Sequence, residues 1–121
     1  MKPPFDGQHG KCCWCGGPLK GKQQRWCGTD CVYTYQIARG DQGRARQLLF
    51  KRDAGKCALC LQTPEERRAS GGSACWDADH IVPIVEGGAL AMTNLRTLCV
   101  PCHLGETRKL RYRLAKQKKE A

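Results

Sequence analysis

The apolar residues of the chain fall into short groups, and the spacing within each group predicts a particular element. The residues after Gly28 predict a short helix with Thr29 as its N-cap and Gly40 after its end. A second helix is predicted between Asp41, which can cap it, and Gly55, which can end it. One face of this second helix carries residues at helical spacing: Ala45, Leu48, Leu49 and Arg52.

The second half of the chain predicts two strands and a long helix. Extended segments are expected at 76–81 and 94–98, joined through the glycine turn at 87–88. A helix is expected from Pro101 onwards, because proline suits the first helical position. A polar stretch with one short helical turn after Pro64 precedes the first strand. This order predicts a small α+β fold whose strands and helix pack as a ββα unit.

Basic residues outnumber acidic ones and gather near the C-terminal end. Lys and Arg total 21 against 11 Asp and Glu, which gives a net charge of +10. Seven of the twelve residues in 108–119 are basic, and Leu110 and Leu114 form one apolar edge. Such charge favours a polyanionic partner, most often nucleic acid, although a solvated basic surface is the plainer interpretation.

Membrane and secretory segments are not expected. No apolar run approaches the roughly 18 residues of a membrane span, and residues 1–10 lack the apolar segment of a signal peptide. We therefore expect an intracellular location, which is the cytoplasm for a prokaryotic or phage protein and the nucleus for a eukaryotic one.

Eight of the ten cysteines form close pairs, three of them C-x-x-C and one C-x-x-x-C. The first two pairs, and then the last two, give two four-cysteine sets: Cys12, Cys15, Cys27 and Cys31; Cys57, Cys60, Cys99 and Cys102. Two such pairs complete a tetrahedral zinc site, and a reducing compartment disfavours the alternative of disulfides. Cys13 could replace Cys12 by position, but the spacing to Cys15 favours Cys12. Cys13 and Cys75 are then small filler residues.

An Asp-His dipeptide and a second histidine suggest chemistry beside the second set. Asp79 and His80 end the first predicted strand, and His103 directly follows Cys102. Neighbours on a strand point to opposite sides, so one can hold a metal while the other faces a substrate. Taken singly, an Asp-His pair is usually surface, and a histidine after C-x-x-C can be a spare zinc ligand. Together they offer oxygen and nitrogen ligands with open positions, which suits a catalytic divalent ion.

The order of these residues resembles the HNH endonuclease family, the zinc-supported ββα-metal nucleases. The match covers residues 57–107 and rests on a set of residues in family order: Cys57, Cys60, Asp79, His80, Gly87, Gly88, Asn94, Cys99, Cys102, His103 and Thr107. The upstream part is similar to HNH domains with an added N-terminal zinc finger, such as the one attached to an annealing helicase. Small prokaryotic and phage HNH nucleases are similar too.

The resemblance implies a role for each site residue. His80 would be the general base, and Asp79 and His103 would hold the catalytic metal. Asn94 would brace the loop that carries His80. Each four-cysteine set would hold one structural Zn²⁺. Mg²⁺ or Mn²⁺ is favoured as the catalytic ion over Ni²⁺ or Zn²⁺, because few protein ligands are available.

Two positions depart from the family pattern. Glu106 stands where many members carry a basic residue, so it could weaken a phosphate contact or add a carboxylate near the metal. Thr107 stands where some members carry a second helical histidine.

The predicted organisation is a flexible arm at 1–10, a zinc finger at 11–40, a connecting helix at 41–56 and the HNH domain at 57–121. The function implied is metal-dependent hydrolysis of phosphodiester bonds in duplex or branched DNA. The alternative is a non-catalytic DNA-binding module with two zinc ions. A third interpretation is an adaptor whose finger binds protein through Trp14, Trp26 and Tyr33.

Overall fold

The computed structural model describes residues 1–120 and divides into two compact units. The first contains Met1–Ala45 and Val82–Asn94, and the second contains Arg46–Ile81 and the chain from Leu95 onwards. The helices are α1 (Thr29–Ala38), α2 (Gln42–Asp53), α3 (Pro64–Ala69) and α4 (Val100–Glu120), and the strands are β1 (Trp76–His80) and β2 (Leu95–Cys99). Within residues 1–120, no helix combines the length and the apolar character needed to cross a membrane.

The first unit is built around the finger and α1. A bridge between Lys11 and Pro18 closes the turn that carries the first cysteine pair. The ring of Tyr35 lies 5.4 Å from that of Trp26 and 6.1 Å from that of Trp14, so aromatic residues pack beside the cysteines.

The start of α1 differs from the prediction. Gly28, not Thr29, is the N-cap residue, and no side chain caps this end. Thr29 is already helical, so its hydroxyl is not placed as a cap.

Residues 1–10, expected as a flexible arm, make specific contacts with the finger. The Phe5 amide donates to the Cys13 carbonyl at 2.8 Å, and Arg25 pairs with Asp6 at 3.2 Å. A Cβ on Gly16 would lie 2.9 Å from the Phe5 ring, so the ring packs closely where a glycine leaves room.

The second unit contains the predicted antiparallel strand pair and the C-terminal helix. The register pairs Trp76 with Cys99 at one end and His80 with Leu95 at the other. The predicted strands are confirmed with small shifts in their bounds. Helix α4 begins one residue before Pro101, which is therefore its second residue. Leu98 is fully buried beside Cys57 and Cys99, so the small core adjoins the second cysteine set.

The C-terminal half of α2 also belongs to this second unit. Leu49 is fully buried, and the Arg52 guanidinium donates to the Leu95 carbonyl at 2.8 Å. The Thr97 hydroxyl lies 2.9 Å from the Asp53 carboxylate. The Arg52 guanidinium, together with the Thr97 hydroxyl, lowers the pKa of Asp53 below its ordinary value despite burial. As expected at its start, α2 is capped by Asp41, whose carboxylate accepts from the Arg44 amide at 3.0 Å.

Helix α3 confirms the short turn expected after Pro64, with Thr63 as its cap. Its Arg67 is only 4 % exposed. The guanidinium donates to four backbone carbonyls, at distances of 2.7 to 3.1 Å: those of Gly55, Gln62, Ser73 and Ala74. One buried side chain therefore holds together both ends of the polar stretch before β1.

Candidate metal centres and active site

Both predicted cysteine sets converge in space. Within residues 1–120, they are the groups that bring three or more metal-binding side chains together, and the sulfurs of each set lie within 4.8 Å of one another. Individual sulfur–sulfur distances are 3.5 and 3.7 Å in the first set and 3.8 Å in the second. Tetrahedral zinc, with bonds of about 2.3 Å, separates its sulfurs by about 3.8 Å, whereas a disulfide needs about 2.05 Å. The geometry is therefore compatible with two structural zinc ions.

Each set contains one thiol that is acidic without a metal. Burial alone would raise the pKa of Cys57, but backbone N–H groups around the sulfur outweigh it and lower the pKa to about 6. The same balance lowers the pKa of Cys12 to about 6. Burial and neighbouring sulfurs raise the pKa of Cys102 to about 12, and they raise that of Cys31 as well. Cys31 and Cys102 therefore need a cation beside them to ionise at neutral pH.

The strand β1 and the first turn of α4 bring Asp79 and His103 together. Asp79 Oδ1 lies 3.7 Å from His103 Nε2. Two ligands of one octahedral Mg²⁺ stand about 3 Å apart, so these atoms would have to approach by roughly 0.7 Å. An oxygen and a nitrogen facing each other fit a hydrated divalent ion that keeps most of its ligands as water.

A second carboxylate contacts the far side of the same imidazole. Asp77 Oδ2 lies 2.9 Å from His103 Nδ1. Asp77 and Asp79 are two residues apart on β1, and residues at that spacing point to the same face of a strand. The imidazole therefore lies between two carboxylates of one strand.

Arg96 and Glu106 complete this polar group. The register pairs Asp79 with Arg96 across the strands, and Arg96 Nε lies 2.8 Å from Asp79 Oδ2. Arg96 also lies 3.7 Å from Glu106, which in turn lies 3.3 Å from Lys109. Arg96 therefore occupies one oxygen of Asp79 and leaves the other facing His103. Glu106 forms ion pairs with two basic residues.

His80 follows Asp79 on β1, and neighbouring residues of a strand point to opposite faces. Its side chain is half-buried, and among residues 1–120 it has no hydrogen bond or ion pair. An imidazole in this state has both nitrogens available to a substrate or a water molecule.

Asn94, in the first unit, binds the backbone of the loop that follows β1 in sequence. Its side chain accepts from the Val82 amide at 2.9 Å and donates to the carbonyls of Val82 at 3.0 Å and Ala89 at 2.9 Å. A Cβ on Gly88 would collide with the Val82 carbonyl oxygen, so this turn requires glycine. Asn94 therefore binds this loop at Val82, which is two residues after His80 in the sequence.

Comparison with known protein families gives a match in the second half of the chain. The family model described as HNH endonuclease matches residues 57–109. This segment is an HNH endonuclease domain. The HNH domain contains the second cysteine set, both strands and the first half of α4. Comparison with curated proteins and with solved structures gives no match.

Sequence reasoning missed the contact between Asp77 and His103. The sequence contained the information needed to find Asp77. It lies two positions before Asp79, and residues at that spacing point to the same face of a strand. Its contact with His103 depends on how α4 is rotated about its axis, and that rotation cannot be read from spacing.

Proposed function

We propose that the protein is a metal-dependent DNA endonuclease. The observation that carries the proposal is the approach of Asp79 Oδ1 and His103 Nε2 to 3.7 Å, with His80 as the next residue of β1 after Asp79. Asp79 and His103 would hold the ion. Asn94 would fix the loop after His80, and the cysteine sets would hold structural zinc.

The chain's own groups account for the proton transfer and the binding of substrate. A water molecule attacks phosphorus, its proton passes to His80, and the bond from phosphorus to the leaving oxygen breaks. A bound Mg²⁺ or Mn²⁺ would supply stabilisation of the negative charge on the phosphate and leaving oxygens. The net charge of +10 favours binding of the DNA backbone, and Ni²⁺ or Zn²⁺ are further candidates for the ion.

A non-catalytic DNA-binding module is the second candidate. It is favoured by α4, where every residue from 111 to 120 is exposed and many are basic. Such a module would use the zinc ions and this helix, and would not need Asp79, His80 and His103.

A cleavage assay separates the two candidates. Protein freed of weakly bound metal is incubated with supercoiled, linear or branched DNA, and Mg²⁺, Mn²⁺, Ni²⁺ or Zn²⁺ is added separately. We expect cleavage with Mg²⁺ or Mn²⁺, and a loss of about 10²-fold or more in His80→Ala, the usual scale for a positioned base. DNA affinity and zinc content should stay unchanged in that variant. Absence of cleavage by the wild type with all four metals would leave the binding module as the function.

A further inference from the structure

We propose that Asp77 is a positioning residue for His103, fixing its tautomer and ring orientation so that Nε2 faces the catalytic ion. This inference rests on the proposed function, because it concerns the same metal. The inference gives a role to Asp77, whose carboxylate contacts His103 but is not one of the two proposed metal ligands, Asp79 and His103.

The contacts of Asp77 support a positioning role that is separate from metal binding by Asp79. Its Oδ2 lies 2.9 Å from His103 Nδ1, while Asp79 Oδ1 faces Nε2 at 3.7 Å. Asp77 is thus on the ring edge turned away from Asp79. Its side chain makes no other hydrogen bond or ion pair among residues 1–120, so His103 is its sole polar partner there.

The chemistry of the contact selects one tautomer. An ionised carboxylate only accepts hydrogen bonds, so Nδ1 must carry the proton that lies between them. A neutral imidazole protonated at Nδ1 has its lone pair on Nε2, the atom that faces Asp79. Carboxylates bound to the far nitrogen of metal-ligating histidines act in this way, and their loss typically costs 10- to 100-fold in metal affinity or activity.

A plain surface ion pair is the competing explanation. The side chains of His103 and Asp77 are 34 % and 42 % exposed, and exposed pairs contribute little to stability. A surface pair would leave the tautomer and metal affinity unaffected when removed. These two properties therefore distinguish the explanations, whereas stability does not.

The first measurement is the tautomer of His103 by long-range ¹⁵N–¹H NMR on the zinc-loaded protein without catalytic metal. The chain has three histidines, so the assignment is tractable. We expect Nδ1–H in the wild type and in Asp77→Glu, and a shift towards Nε2–H in Asp77→Ala. Glu65→Ala, which removes an exposed carboxylate elsewhere in the unit, is the control for charge removal and should keep Nδ1–H.

The second measurement is Mn²⁺ affinity by electron paramagnetic resonance in the same four proteins. We expect Asp77→Ala to bind Mn²⁺ about 10- to 100-fold more weakly, and Asp77→Glu to recover part of that loss. An Nε2–H tautomer in the wild type, or affinity in Asp77→Ala within twofold of Glu65→Ala, overturns the inference while the proposed function stands. Failure of the wild type to bind Mn²⁺ at this site, together with absence of DNA cleavage with all four metals, overturns both.

Discussion

Asp79 divides its two oxygens between different partners. Oδ2 accepts from Arg96 at 2.8 Å, and Oδ1 faces His103. A carboxylate held by a guanidinium cannot rotate freely, so one oxygen is kept towards the proposed metal position. The same pairing partly neutralises Asp79, which weakens its attraction for a cation.

Substitution of either proposed metal ligand should give a defect that added metal corrects. We expect Asp79→Ala and His103→Ala to cleave DNA slowly at low Mg²⁺ or Mn²⁺ and to recover part of the rate at high concentration, because the remaining ligand still binds the ion. The measurement is the cleavage rate as a function of metal concentration.

His80→Ala is the contrasting variant in that experiment. Its rate should stay low at every metal concentration, since a missing base is not replaced by more ions. Equal responses of all three variants would contradict the separation of base and ligands.

At the scale of single elements, the HNH strands and helices were largely predictable and the side-chain contacts were not. The extended segments expected at 76–81 and 94–98, and the helix expected from Pro101, agree with the two strands and the start of α4 to within one residue. The helix start at Thr29 was wrong by one position, because glycine can occupy an N-cap as well as threonine can. The Arg67 contacts were not predictable, since they depend on carbonyls that converge only after folding.

The conformation of the polar stretch before β1 depends on one buried side chain, that of Arg67. Arg67→Lys should destabilise the protein by about 2–4 kcal/mol, because an ammonium group cannot reach all four carbonyls and leaves buried acceptors unpaired. The measurement is urea unfolding of the zinc-loaded protein. Arg68→Lys, at an exposed neighbouring position, is the matched control and should stay within about 0.5 kcal/mol of the wild type.

The exposed end of α4 should bind DNA through its charge. Replacing Lys118 and Lys119 by Gln should weaken binding and lower the slope of log affinity against log salt by about 0.9 for each phosphate that is no longer neutralised. The measurement is duplex binding by fluorescence anisotropy at several salt concentrations.

Exposed lysines of the finger provide the control for that experiment. Lys20→Gln with Lys22→Gln removes the same charge from another surface and should change the slope less. Identical slopes in the wild type and the α4 variant would show that this end of the helix is only a solvated surface.

For the molecule as a whole, metal binding and folding should be inseparable. Two small units with a core of few buried residues should gain much of their stability from zinc. We expect elemental analysis to give two tightly bound zinc ions per chain, and Cys→Ser changes in either set to unfold that unit. Fewer than one zinc ion, or four disulfides by mass spectrometry, would contradict this.

A single peptide bond joins Cys102 to His103. A reagent that displaces the Cys102 sulfur from its cysteine set should therefore also displace the first turn of α4, and with it the proposed ligand of the proposed catalytic ion. We expect thiol-directed electrophiles that react with this cysteine set to inhibit the proposed DNA cleavage without covering the exposed end of α4. A drug or toxin aimed at the proposed nuclease would not need to compete with nucleic acid at all.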